Sequence, residues 1–177
     1  MITRPGRFNL YLLALLAALP AAALLLAGCD TFTKKGKAEE VSLRLHLEVN
    51  AAGGTQGTNV LVGRSSPFPV TVDRQPFLSE FNMESAKVVD ALGGFSIAIQ
   101  YSTEGTMLLE QYTTAYRGRH VAILAEFGEL RWIAAPIMQN RIANGQFVFT
   151  PDATREEAEK IVRGLNRVAE LVRKGRK

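Results

Sequence analysis

Residues 41–49 alternate without a break, and that pattern sets the first limit on the fold. Val41, Leu43, Leu45, Leu47 and Val49 point one way, while Ser42, Arg44, His46 and Glu48 point the other. A side-chain period of two marks a strand with one buried face. A strand leaves its backbone N–H and C=O groups unpaired until neighbours supply partners. Residues 41–49 therefore require a sheet, and the sheet requires more strands. Candidates lie at residues 59–63, 70–73, 95–101, 120–127, 130–134 and 146–149. Gly53-Gly54 with Gly57, Gly128-Glu129 and Asn144-Gly145 mark turns between them.

Other segments carry the helical period. Thr103 is the expected N-cap of a helix that reaches about Tyr116, with Glu104 in its first turn and Gly118 ending it. Thr154 with Glu157 matches a capping box. Behind it, Ala158, Ile161, Val162, Leu165, Val168, Ala169 and Val172 form one apolar stripe. A short helix is expected at residues 85–91, closed by Gly93-Gly94. The element order implies an α+β fold: a mostly antiparallel sheet with two main helices packed on one face.

The N-terminus has a separate logic. Arg4 and Arg7 precede an apolar run over residues 10–26, and Leu26-Ala27-Gly28-Cys29 follows. A positive start, an apolar middle and small residues before a cut make a secretory signal. The four-residue ending resembles the lipobox of bacterial lipoproteins, which implies cleavage before Cys29 and acylation, as with palmitate, on its thiol. Cys29 is the only Cys in the chain. The expected organisation is a signal peptide at 1–28, lipidated Cys29 with a flexible tether to 40, a folded domain at 41–172, and a basic tail at 173–177. Asp30 resembles an inner-membrane retention signal and favours that membrane, facing the periplasm. Removing Arg4 and Arg7 leaves 19 basic side chains against 17 acidic, a balance of +2. Such a balance gives no reason to expect nucleic acid as a partner.

A resemblance covers residues 69–172. Val70-Thr71-Val72-Asp73-Arg74-Gln75-Pro76-Phe77-Leu78 precedes Met83-Glu84-Ser85-Ala86. Ser102-Thr103-Glu104-Gly105, Arg117-Gly118-Arg119-His120-Val121-Ala122-Ile123 and Ala134-Ala135-Pro136-Ile137 follow in order. Ile142-Ala143-Asn144-Gly145 then precedes Glu156-Glu157-Ala158. This series resembles the head part of the first periplasmic domain of SecD, a subunit of the bacterial preprotein translocase. The resemblance implies a module that contacts emerging preprotein or changes pose during export. SecD also carries membrane helices with charged residues coupled to proton flow. Here the only segment apolar enough to enter a bilayer is residues 10–26, so the chain is not read as a motor.

No catalytic pattern competes with that reading. His46 and His120 are the only His, and they lie 74 positions apart without a metal-binding spacing. Ser65-Ser66 lacks a Gly-x-Ser-x-Gly elbow, and Gly53-Gly54-Thr55-Gln56-Gly57 lacks the Lys-Ser/Thr of a phosphate loop. Glu84, Asp90, Glu104 and Glu110 could be imagined as paired acids, but Glu104 is explained as helix-start chemistry. No enzyme, cofactor or metal is expected. Tyr112, Tyr116, Arg117, Arg119, Arg131 and Trp132 are the candidate partner surface, since aromatics and Arg dominate protein interfaces. Arg173, Lys174, Arg176 and Lys177 could touch anionic headgroups. Two functions remain open: a membrane-anchored, non-catalytic module that binds a translocase component or exported chain, and a structural envelope lipoprotein that keeps only the fold.

Overall fold

The protein is described here from a computed structural model covering residues 41–50, 57–64 and 66–175. The signal and lipobox with Cys29, the tether, the Gly53-Gly54 loop, Ser65, Arg176 and Lys177 lie outside the described residues. In chain order the elements are β1 (Ser42–Leu47), β2 (Gly57–Val62), β3 (Phe68–Asp73), β4 (Leu78–Ser79) and a 3-10 turn (Glu80–Asn82). Then come β5 (Met83–Ala91), β6 (Gly94–Tyr101), α1 (Thr103–Ala115), β7 (Val121–Glu126), β8 (Leu130–Ala134), β9 (Gln146–Phe149) and α2 (Arg155–Gly175).

Among the described residues every ladder is antiparallel, and the strands form three sheets. The four-stranded sheet runs β4-β1-β7-β8, a second runs β5-β6-β9, and β2-β3 is a separate hairpin. The alternation at residues 41–49 places Leu43, Leu45 and Leu47 in the main core. Ile97, Ile99 and Tyr101 of β6, Leu109 of α1, and Ile161 and Leu165 of α2 join them. α2 buries its apolar stripe against this core, α1 contributes chiefly Leu109, and the α+β expectation holds. The capping box is present: Glu157 N–H donates to Thr154 Oγ1 at 3.2 Å and Thr154 N–H to Glu157 Oε2 at 2.8 Å.

The opposite face of β1 exposes Arg44 but not its far end at His46. The β2-β3 hairpin covers that end, and Val62, Val70, Val72 and Ala122 form a second small core there, with Trp132 packed against it. His46 is therefore buried, although the sequence sets it among polar residues. Its Nδ1 lies 2.8 Å from the Asp73 carbonyl, and its ring meets Trp132 edge-on at 5.1 Å.

Two local expectations are corrected. Residues 85–91 belong to strand β5, not to a helix. Val88 and Val89 are β-branched and stiff at χ1, which favours extended backbone. Gly93 at φ 83° takes the left-handed step in a two-residue turn between Ala91 and Gly94, which pair across the hairpin. The N-cap of α1 is Ser102, not Thr103: its hydroxyl accepts the Gly105 N–H at 3.2 Å. Among the described residues, no helix is long and apolar enough to cross a membrane.

Candidate functional site

Two strand edges face one another across a cleft. The first belongs to β9. Tyr101 N–H donates to the Gly145 carbonyl at 2.9 Å, and the register sets Ile99 opposite Phe147 and Ile97 opposite Phe149. Bonded and unbonded pairs alternate along an antiparallel ladder. Gly145, Phe147 and Phe149 thus turn their backbone groups toward β6, while Gln146 and Val148 turn theirs away. Asn144 Oδ1 takes the Gln146 N–H at 3.1 Å. The N–H and C=O of Val148 have no partner among the described residues.

The second edge continues β8 through residues 135–139. Val121 N–H donates to the Pro136 carbonyl and Met138 N–H to the Arg119 carbonyl, both at 2.9 Å. Ile137 sits opposite His120 in an isolated bridge. The same alternation turns the backbone groups of Ala135 and Ile137 away from β7, to the cleft side. The edges meet at one end, where Asp152 N–H donates to the Ile133 carbonyl at 2.6 Å.

The cleft between them is mainly apolar. Phe68, Ile133, Ala135, Pro136, Val148 and Phe149 line its closed half. Past Pro136 a second hollow continues between Ile137, Gln139 and Gln146. Phe68 and Val148 stay 42% and 49% exposed at the rim. Gly145 shapes the approach to β9: it has φ 70°, and a Cβ there would run into the Thr106 side chain and the Gln100 amide.

Ion pairs hold the closed end. Arg64 Nη2 reaches Glu129 at 2.7 Å and Glu157 at 2.8 Å. Arg131 reaches the same two carboxylates at 3.0 and 3.3 Å, and the Arg64 N–H donates to the Asp152 carboxylate. This network joins the end of β2, the β7-β8 turn and the start of α2. Behind Phe68, Glu48 Oε2 accepts from the His120 N–H at 2.8 Å and lies 2.8 Å from its Nδ1. Burial would raise the Glu48 carboxyl, but the His120 hydrogen bonds and nearby Arg119 outweigh it and hold the group below its usual range. Burial lowers His46, only partly offset by the Asp73 carbonyl.

Residues 58–169 match the family described as SecDF, P1 head subdomain. The chain belongs to that family. Two solved structures share its fold. One, described as a membrane component SecDF that enhances protein export, is 20% identical with a TM-score of 0.52, covering 93% of this chain and 71% of that one. The other, SecDF in a super-membrane-facing form, is 20% identical with a TM-score of 0.53, covering 73% of this chain and 19% of that one. No curated protein matches the chain. The family match opens inside β2, yet β1 is flanked by β4 and β7. In this P1 head the alternating strand at the start is an inner strand, not an appendage.

The residues singled out from sequence do not form one surface. Tyr112 stacks on Phe77 at 4.2 Å, Tyr116 follows at 5.5 Å, and Arg119 lies 5.8 Å from the Tyr116 ring centre. Arg117 donates to the Gln139 carbonyl at 3.1 Å, beside the open end of the cleft. Arg131 and Trp132 sit elsewhere, on β8. Adjacent strand residues face opposite ways, so Arg131 joins the ion pairs while Trp132 joins the second core. Asp90 pairs with Arg155, and Glu110 with Arg141. Among the described residues, no three His, Cys, Asp or Glu gather to hold a metal. Sequence reasoning missed Val148, Ala135 and Ile137. The available signal was Val148 itself, an apolar residue at an outward position of a short strand bounded by Gly145 and Pro151.

Proposed function

We propose that this protein is a non-catalytic binding module that holds an extended, apolar segment of another polypeptide in the cleft beside β9. It would do so as a lipoprotein anchored through acylated Cys29, with the domain tethered at the periplasmic face of the inner membrane. The bound segment would be part of an exported chain, and the module would work beside the translocase. One observation carries this reading. The main cleft of a P1 head fold is lined by apolar side chains and backbone edges, and its charged neighbours Arg64 and Asp152 are already engaged. Such a site suits binding of extended chain rather than bond-making chemistry.

A photo-crosslinking amino acid at position 148 of the full-length protein tests this in cells. Crosslinks to exported chains or translocase subunits, lost when Cys29→Ala removes the anchor, support it. Crosslinks only to abundant envelope proteins, the same with and without Cys29, would leave a structural lipoprotein.

A further inference from the structure

The cleft is bounded on both sides by strand edges, and the backbone pattern says what fits between them. We propose that the bound segment adds as a β-strand, pairing with the free edge of β9 and with the facing edge at Ala135 and Ile137. This rests on the cleft reading above and specifies how the segment is held. Val148 offers an unpaired N–H and C=O on one side, and Ala135 and Ile137 offer theirs on the other. Along each edge these groups recur at every second residue, roughly 6.6 Å apart. An extended polypeptide presents donors and acceptors at that interval on both of its edges; a lipid chain or a sugar does not. A strand seated there joins β5-β6-β9 to β8-β7-β1-β4 as one continuous sheet.

The side chains define the segment's chemistry. Its floor and rim are apolar or uncharged at Phe68, Ile133, Pro136, Val148, Phe149 and Thr150. Arg64 and Asp152 close one end: the Arg64 N–H donates to the Asp152 carboxylate, and the Arg64 guanidinium pairs with Glu129 and Glu157. The four residues of β9 give an edge of roughly 13 Å. The occupant is therefore a short, uncharged run rich in β-branched or small residues. In strand addition, backbone pairing supplies affinity and alternate side chains supply selectivity.

The test uses the full-length lipidated protein in detergent micelles and a fluorescent peptide of alternating Val and Thr. Its twin carries N-methyl groups at alternate residues, which remove donors and leave the side chains in place. Strand addition predicts that the parent binds and the twin binds about tenfold more weakly or worse. Val148→Pro removes the outward N–H and should weaken the parent similarly, whereas Val148→Thr keeps the edge and should not. Should Val148→Pro prove misfolded by circular dichroism, the N-methyl comparison on the unaltered protein still decides. Equal binding of parent and twin, weakened by Val148→Asp, would overturn strand addition and leave the cleft reading standing. Absence of binding by either peptide, together with absence of crosslinks from position 148, would overturn both. A concentration-dependent dimer in sedimentation that Val148→Pro dissolves would show a second copy in the cleft and overturn the peptide proposal.

Discussion

Asn166 should be one of the most sensitive surface-adjacent positions in the protein. Its Oδ1 accepts the Ala86 N–H at 2.7 Å, and its Nδ2 donates to the Ala86 carbonyl at 2.9 Å. Ala86 lies on the outer edge of β5, where its backbone groups turn away from β6, and it is only 7% exposed. Water cannot readily replace the amide there. Asn166→Ala removes two hydrogen bonds, each contributing about 0.5–1.5 kcal/mol net, and leaves two desolvated groups unpaired. The expected loss is about 2–3 kcal/mol, which lowers the melting temperature by roughly 10 °C for a domain of this size. Asn166→Asp keeps the acceptor but sets a carboxylate oxygen against the Ala86 carbonyl, so it should be at least as harmful. Thermal unfolding of the full-length protein followed by circular dichroism measures both. A drop of about 2 °C or less for Asn166→Ala would refute the idea that α2 seals the β5 edge through this side chain.

Further outcomes follow from the same reasoning. Gly145→Ala places a Cβ at φ 70° against Thr106 and Gln100; chemical denaturation should show a loss of about 1–3 kcal/mol. The buried His46 has its pKa lowered below 6.5 when folded, so the unfolded chain binds a proton first as pH falls. Stability should therefore decline as pH drops through about 6.5 toward the folded value, and His46→Gln should flatten that slope in urea titrations at stepped pH. Glu48 works lower on the scale: its depressed carboxyl contributes stability above the unfolded value of 4.5, lost as pH falls through the folded one. Glu48→Gln should weaken that acid limb. On the anchor proposed above, the wild-type protein should incorporate radioactive palmitate and Cys29→Ala should abolish that labelling.

Much of the fold was legible because the features that specify it are local. Alternation marks β1, the Thr154–Glu157 box marks the start of α2, and the stripe behind it marks the buried face. Where two local signals compete, tertiary context decides. Residues 85–91 read as a helix until β6 and the Leu92-Gly93 turn make them half of a hairpin. His46 reads as half-exposed until the β2-β3 hairpin lands on it. The cleft was legible only at Val148, an apolar residue at an outward strand position. Its two walls lie about ten residues apart in sequence, and what makes them a site is which way their backbone groups point. That depends on hydrogen-bond parity with β6 and β7, which side-chain patterning does not encode. The aromatic and Arg residues chosen from composition divide instead between the end of α1 and the two faces of β8.

Amide hydrogen exchange of the full-length protein, with and without the Val-Thr peptide, tests the central claim most directly. Strand addition predicts that the Val148 and Ile137 amides exchange fast in the free protein and slow markedly with peptide. The Phe147 amide, already turned toward β6, should not change. Unchanged exchange at Val148 and Ile137 under saturating peptide would contradict the account.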